Sequence, residues 1–197
     1  MNFKERRIVY FQAPGSQNTE SVLRLAKEYA QTEGINDIVV ASTTGETGAR
    51  ASEVFKGFNV VVVTHHSGFV EPGTPELREK NRKKILENGA KVLTATHALS
   101  GVERAVRKKF KTILPVELIA HALRLFGEGT KVCIEVTVMA ADAGLIPVDK
   151  SVVAIGGTDR GADTALVVKP ANASHFFSLE VREVIAKPRS RTKKITG

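Results

Sequence analysis

Hydrophobic positions along the chain alternate between two periods. The run "RRIVYFQ" (residues 6–12) is short, β-branched and aromatic, and predicts a strand. Val22, Leu25, Ala26, Tyr29 and Ala30 then recur at spacings of three and four, the stripe of an amphipathic helix. Asn18 stands where an N-cap is expected, and Gly34 where the helix should stop. "DIVVAS" is apolar almost throughout, as in a strand covered on both faces. A helix to about residue 55 follows, then the strand "NVVVVTHH" (59–66). Pro75 suits a helix start, which predicts a helix over 76–88 closed by Gly89. "KVLTATH" (91–97) is a fourth strand. Strand and helix alternating at such short intervals predict a three-layer α/β fold around a mostly parallel, doubly wound sheet.

The rhythm then changes. Residues 100–126 read as helical with a break near Pro115, which predicts a helical insertion around 100–128. "KVCIEVTVMAADAGL" (131–145) mixes β-branched residues with a helical stripe of Val132, Val136, Met139, Ala140 and Ala143; its length favours a helix. "SVVAIGG" and "TALVVKPA" flank "TDRGAD", which predicts an antiparallel strand pair at a sheet edge. "EVREVIAK" is a last strand. The expected organisation is one α/β domain over 1–187 and a flexible basic tail over 188–197.

Composition narrows the class of protein. Of 197 residues, 42% are hydrophobic and none is Trp, so the core must be aliphatic. No apolar run of about 18 residues exists, so no membrane span is expected. The single cysteine, Cys133, fits a reducing compartment and a cytoplasmic location, and is expected to be a buried, inert thiol. The net charge of +8 permits an anionic partner. Its basic residues cluster at Lys80, Arg82, Lys83 and Lys84, at Arg104, Arg107, Lys108, Lys109 and Lys111, and in the tail. Solvated helix faces are the ordinary reading of such clusters. No aromatics interleave with them, which disfavours nucleic acid bound by base stacking.

In a parallel sheet, ligands bind where the strands' carboxyl ends meet the loops. The polar residues there are Ser42, Thr43, Thr44, Gly45 and Thr47 after the second strand, Thr64, His65 and His66 after the third, and His97 after the fourth. Gly156, Gly157, Arg160 and Asp163 follow a later strand. "STTGET" has the makings of a phosphate cradle without lysine: a glycine turn, hydroxyl donors and a helix N-terminus. It is neither a P-loop nor a dinucleotide fingerprint. An ordinary capped turn accounts for the loop equally well. One of the three histidines fits a general base, and a shared metal lacks a third ligand. Glu135, a carboxylate in an apolar run, suits either an ion pair with Lys131 or Arg160 or a ligand hydroxyl. Arg160 and Asp163 suit a clamp on a ligand or a pair across their turn, and Arg50 suits a phosphate or solvent.

The stretch "DIVVASTTGETGARASEVFKGFNVVVVT" resembles the C-terminal domain of pyruvate kinase, where a Ser/Thr-Gly loop between strand and helix holds a phosphate of the activator. "DAGLIPVDKSVVAIGGTDRGADTALVV" resembles the end of that domain, and together the matches cover about two thirds of the chain. A stand-alone group of such domains, associated with bound flavin mononucleotide (FMN), is more similar still, through "GTKVCIEVTVMAADAGLIP" and the helices before it. The resemblance implies no pyruvate kinase activity, because no catalytic barrel is present. It implies an anion cradle at Ser42, Thr43, Thr44, Gly45 and Thr47, with FMN as the cofactor. Thr64, His65, Glu135, Gly157, Arg160 and Asp163 complete the candidate site.

The expected function is binding of a phosphorylated small molecule, FMN first, with flavin redox chemistry if there is catalysis. A phosphosugar-sensing module is the alternative, and a nucleic-acid-associated protein the second. A homo-oligomer is expected by analogy with the kinase domain. Both Thr44→Glu and Gly45→Val are expected to abolish phosphate binding while leaving the fold intact.

Overall fold

The structure is a computed structural model that describes residues 3–191. Seven strands form one sheet: β1 (Val9–Phe11), β2 (Asp37–Ala41), β3 (Asn59–Thr64), β4 (Lys91–Thr94), β5 (Val152–Gly156), β6 (Thr164–Lys169) and β7 (Glu180–Pro188). Their order across the sheet is β1-β7-β6-β5-β2-β3-β4. Pairing is parallel except on both sides of β6, so the antiparallel part is gathered in one half of the sheet. β7 and β1 lie outside the β5–β6 hairpin. The helices are α1 (Thr19–Glu33), α2 (Glu46–Val54), α3 (Glu79–Glu87), α4 (Glu103–Phe110), α5 (Pro115–Arg124) and α6 (Glu128–Asp142).

Strand alternation divides the core into two layers. Ile38 and Val40 of β2 and Val60 and Val62 of β3 share one core cluster with Val22, Leu23 and Ala26 of α1, Ala49 and Ala51 of α2, and Phe55 just after it. Val39 and Val61 point the other way, to Cys133, Val136, Met139 and Ala140 of α6. Phe55 is fully buried, and burial of such a side chain contributes about 1.5–3 kcal/mol. At the start of α6, a Cβ on Gly129 would lie 2.1 Å from Thr164 Oγ1, so the glycine lets the helix sit directly on the sheet.

The predicted helix over 76–88 begins later, at Glu79. Arg78 N–H and Asn81 Nδ2 both donate to Thr44 O, at 3.2 and 2.8 Å, which ties this chain to the loop after β2 and leaves Pro75 outside the helix. β3 and β4 pair for the last time at Thr64 and Thr94, so His65, His66 and His97 stand beyond the sheet. Asn18 holds the N-cap position of α1, but its side chain donates to Ala13 O at 2.8 Å rather than capping the helix. Of the anticipated tail, Pro188 ends β7 and Arg189 N–H donates to Phe11 O at 2.9 Å; residues 192–197 lie outside the described residues.

Candidate functional site

A cavity of about 660 Å³ opens where β2, β3, β4 and β5 end, with α4, α5 and α6 as its far wall. Chain connectivity turns here: β2 leads outward to β3 on one side, and its other neighbour is β5. Loops diverge at such a point and leave a crevice.

The loop over 42–47 is held from several directions. Ser42 Oγ accepts from Gly48 N–H at 3.0 Å, and Thr44 O takes the two donors already described. Gly45 has φ +86°, a left-handed conformation, and a Cβ there would lie 2.6 Å from Leu77 and 2.7 Å from Asn81. The main-chain N–H groups of Thr44, Gly45, Glu46 and Thr47 donate to no acceptor among the described residues. Those of Glu46 and Thr47 open the first turn of α2, at its positive dipole end. The Glu46 carboxylate pairs with Arg78 at 2.6 Å.

Next to the loop, Thr43 Oγ1 lies 3.3 Å from His65 Nε2, and His65 Nδ1 lies 2.7 Å from Glu76 Oε2. Burial holds the His65 pKa below its ordinary value despite the opposing Glu76 hydrogen bond. The Phe69 ring is covered on both faces: His65 stacks on it at 3.9 Å, and the Arg104 guanidinium sits 4.0 Å away.

Deeper in, Glu135 joins α6 to the segment after β4. Its Oε1 accepts from Leu99 N–H at 3.0 Å; its Oε2 accepts from Lys131 Nζ at 2.5 Å and faces His97 Nδ1 at 3.3 Å. Burial pushes the Glu135 carboxyl up, but His97 and Lys131 outweigh it and hold the pKa at about 2. Lys131 is therefore the ion-pair partner, and Arg160 is not.

Ser42, Thr43 and Thr44 border the cavity from the loop after β2, Thr47 from the start of α2, Thr64 and His65 from the end of β3 and just beyond it, Glu135 from α6, and Gly157 and Arg160 from the β5–β6 turn. Gly45 and Asp163 do not. Gly45 acts through backbone geometry. Asp163 is fully buried and accepts from Gly15 N–H at 2.9 Å, Thr158 N–H at 3.2 Å and Thr164 Oγ1 at 2.8 Å. It pins the turn against the chain before α1, so the clamp expected of it is replaced by a structural role. Arg50 pairs with Glu20 and Glu53 and does not border the cavity. Cys133 is buried against Ala154 O at 3.3 Å, and burial pushes its thiol pKa up.

Arg104 and Arg107, expected on a solvated face, both border the cavity, with Arg124. Their spacing of three on α4 puts them on one face, but Lys108 and Lys111 follow them at spacings of four, so the sequence held no signal that singled the arginines out. Arg107 pairs with Glu117 and Arg124 with Glu128, whereas Arg104 and Arg160 have no carboxylate partner among the described residues. Also among the described residues, no three His, Cys, Asp or Glu side chains are placed to share a metal ion, and no helix is long and apolar enough to cross a membrane.

Residues 20–168 match the family described as the pyruvate kinase alpha/beta domain. Among solved structures, a pyruvate kinase from Cryptosporidium parvum is 17% identical over 78% of this chain and 23% of its own, with a TM-score of 0.40. A second structure of pyruvate kinase from that organism is 16% identical over 78% of this chain and 22% of its own, at 0.38. A third, in complex with ADP, is 16% identical over 76% and 22%, at 0.37. The chain thus spans less than a quarter of the length of these enzymes. By the match over residues 20–168, it belongs to the pyruvate kinase alpha/beta domain family.

Proposed function

We propose that this member of the pyruvate kinase alpha/beta domain family binds a phosphorylated small molecule, and that FMN is the ligand its cavity suits best. The carrying observation is the set of four N–H groups at Thr44, Gly45, Glu46 and Thr47 that lack acceptors beside a large cavity. Unsatisfied backbone donors at a helix start suit an anion. Thr44 and Thr47 hydroxyls add donors, and Arg160 adds positive charge from the opposite turn. Leu99, Ala120, Val132 and Val136 offer an apolar wall to a planar ring, between polar groups at either end. These residues fit FMN, which when bound supplies reversible redox chemistry. The chain's own part is to hold the phosphate, orient the ring against α6 and shield it from water.

A phosphosugar-sensing role is the second reading. Arg104 and Arg160, free of carboxylate partners among the described residues, favour it by offering charge to a second anionic group. Nucleic acid is disfavoured because three of the four basic residues of α3 are paired: Arg82 with Glu79, Lys83 with Glu87 and Lys84 with Glu53. Homo-oligomer formation belongs to the same proposal. Exposed Phe110, Ile113, Leu125 and Phe126 on the helical insertion support it, and sedimentation measures it.

The test is visible absorbance of the purified protein, before and after addition of FMN and gel filtration. Near-stoichiometric retention supports a flavin protein. Binding of hexose phosphates without FMN retention moves the assignment to the sensor, and failure to bind either one or inorganic phosphate ends the proposal.

A further inference from the structure

His97 borders the cavity away from the phosphate loop, and one buried nitrogen of its ring has no partner among the described residues. The His97 side chain is 11% exposed, with Nδ1 facing Glu135 Oε2 at 3.3 Å. An ionised carboxylate only accepts, so Nδ1 carries the proton between them. In the neutral ring this leaves Nε2 as a bare acceptor. That atom is buried and unbonded among the described residues. The rings of His65, His66 and Phe69 surround the imidazole at 5.2, 5.7 and 5.5 Å and give Nε2 no hydrogen bond. Protonating Nε2 would leave a buried donor equally unpartnered, in a site that already holds the Lys131 ammonium. Buried polar groups are nearly always paired, because leaving one unpaired costs as much as a lost hydrogen bond.

We infer that His97 reads the ligand: its Nε2 accepts a hydrogen bond from an O–H or N–H group of the bound molecule, and Glu135 is the positioning residue that sets the ring's tautomer. The inference rests on the phosphate-loop reading only for the ligand's orientation. It narrows the ligand class to phosphorylated molecules with a donor remote from the phosphate, such as a sugar hydroxyl or the imide N–H of a flavin. A ligand lacking that donor leaves the cost unrelieved and binds more weakly.

Two variants separate this role from a structural one. Asn at position 97 keeps an amide near the place of Nδ1, beside Glu135, whereas Gln places one near Nε2. Titrations use inorganic phosphate, FMN and a hexose monophosphate. Phosphate affinity should be the same in wild type, His97→Asn and His97→Gln. Affinity for whichever organic probe binds should fall roughly tenfold in His97→Asn and largely persist in His97→Gln. Nitrogen NMR of the free wild-type protein should show a protonated Nδ1 and a bare Nε2, with the Nε2 resonance moving on addition of the organic probe. Equal organic-probe affinity in all three proteins, or a protonated Nε2 in the free protein, overturns the inference. Failure of wild type to bind inorganic phosphate overturns the loop reading alone, since the nitrogen spectrum tests His97 without any ligand.

Discussion

Glu135 receives hydrogen bonds from residues of two separate segments, the chain after β4 and α6 itself. Replacing it with Gln leaves the buried Lys131 ammonium without a counter-charge, which costs about 3–5 kcal/mol. Urea unfolding of Glu135→Gln against wild type measures this loss. The folded carboxyl, at about 2, lies below its ordinary 4.5. Its stabilisation is therefore complete above about pH 4.5 and disappears as the pH falls toward about 2. Acid unfolding of wild type should contain this component, and Glu135→Gln should lack it. The loop carries a second consequence. Gly45→Val cannot leave the fold untouched, because the left-handed backbone and the contacts with Leu77 and Asn81 exclude a side chain. The cleaner probe is Thr44→Glu, which places a carboxylate where the phosphate would sit. It should lower inorganic phosphate affinity at least about tenfold, read by calorimetry, with a thermal midpoint near wild type.

The helices differ sharply in how they are anchored. α6 is buried from Gly129 to Ala141 apart from Val132, so it needs no polar face, and a helical stripe together with its length separated it from a strand in the sequence. α4 has no buried residue and is held at its ends, by Glu117 N–H donating to Glu103 and by the Arg107–Glu117 pair. Hydrogen exchange should find α6 amides protected to the level of global unfolding and α4 amides opening first. Equal protection of the two would show that α4 is covered by something more. The late start of α3 has a tertiary cause. Pro75 is a good helix starter locally, but bonds from Arg78 and Asn81 to Thr44 delay the turn. Such bonds join segments more than 30 residues apart, and no local window contains them.

Taken whole, the sheet is a rigid frame that presents loops from four strands to one cavity. A ligand held there stabilises the folded state in proportion to its occupancy. At about a hundredfold excess over Kd the gain is about 2.7 kcal/mol, a rise in thermal midpoint of roughly 5–10 °C for a chain of this size. Calorimetric scans with and without FMN read this directly, and an unchanged midpoint counts against FMN. The α/β class, the mostly parallel sheet, the helix at α6 and the hydroxyl loop after β2 were all legible in the chain, because each rests on local periodicity or a short run of residue types. So was the placement of Ser42, Thr43, Thr44, His65 and Arg160 near one rim, which follows from strand polarity. The burial of Asp163 against Gly15, the turning of Arg104 and Arg107 toward the cavity, and the unpartnered Nε2 of His97 were not legible. Each depends on which distant segment lies opposite a side chain. That is settled by the packing of the helices against the sheet, and no spacing along the chain encodes it.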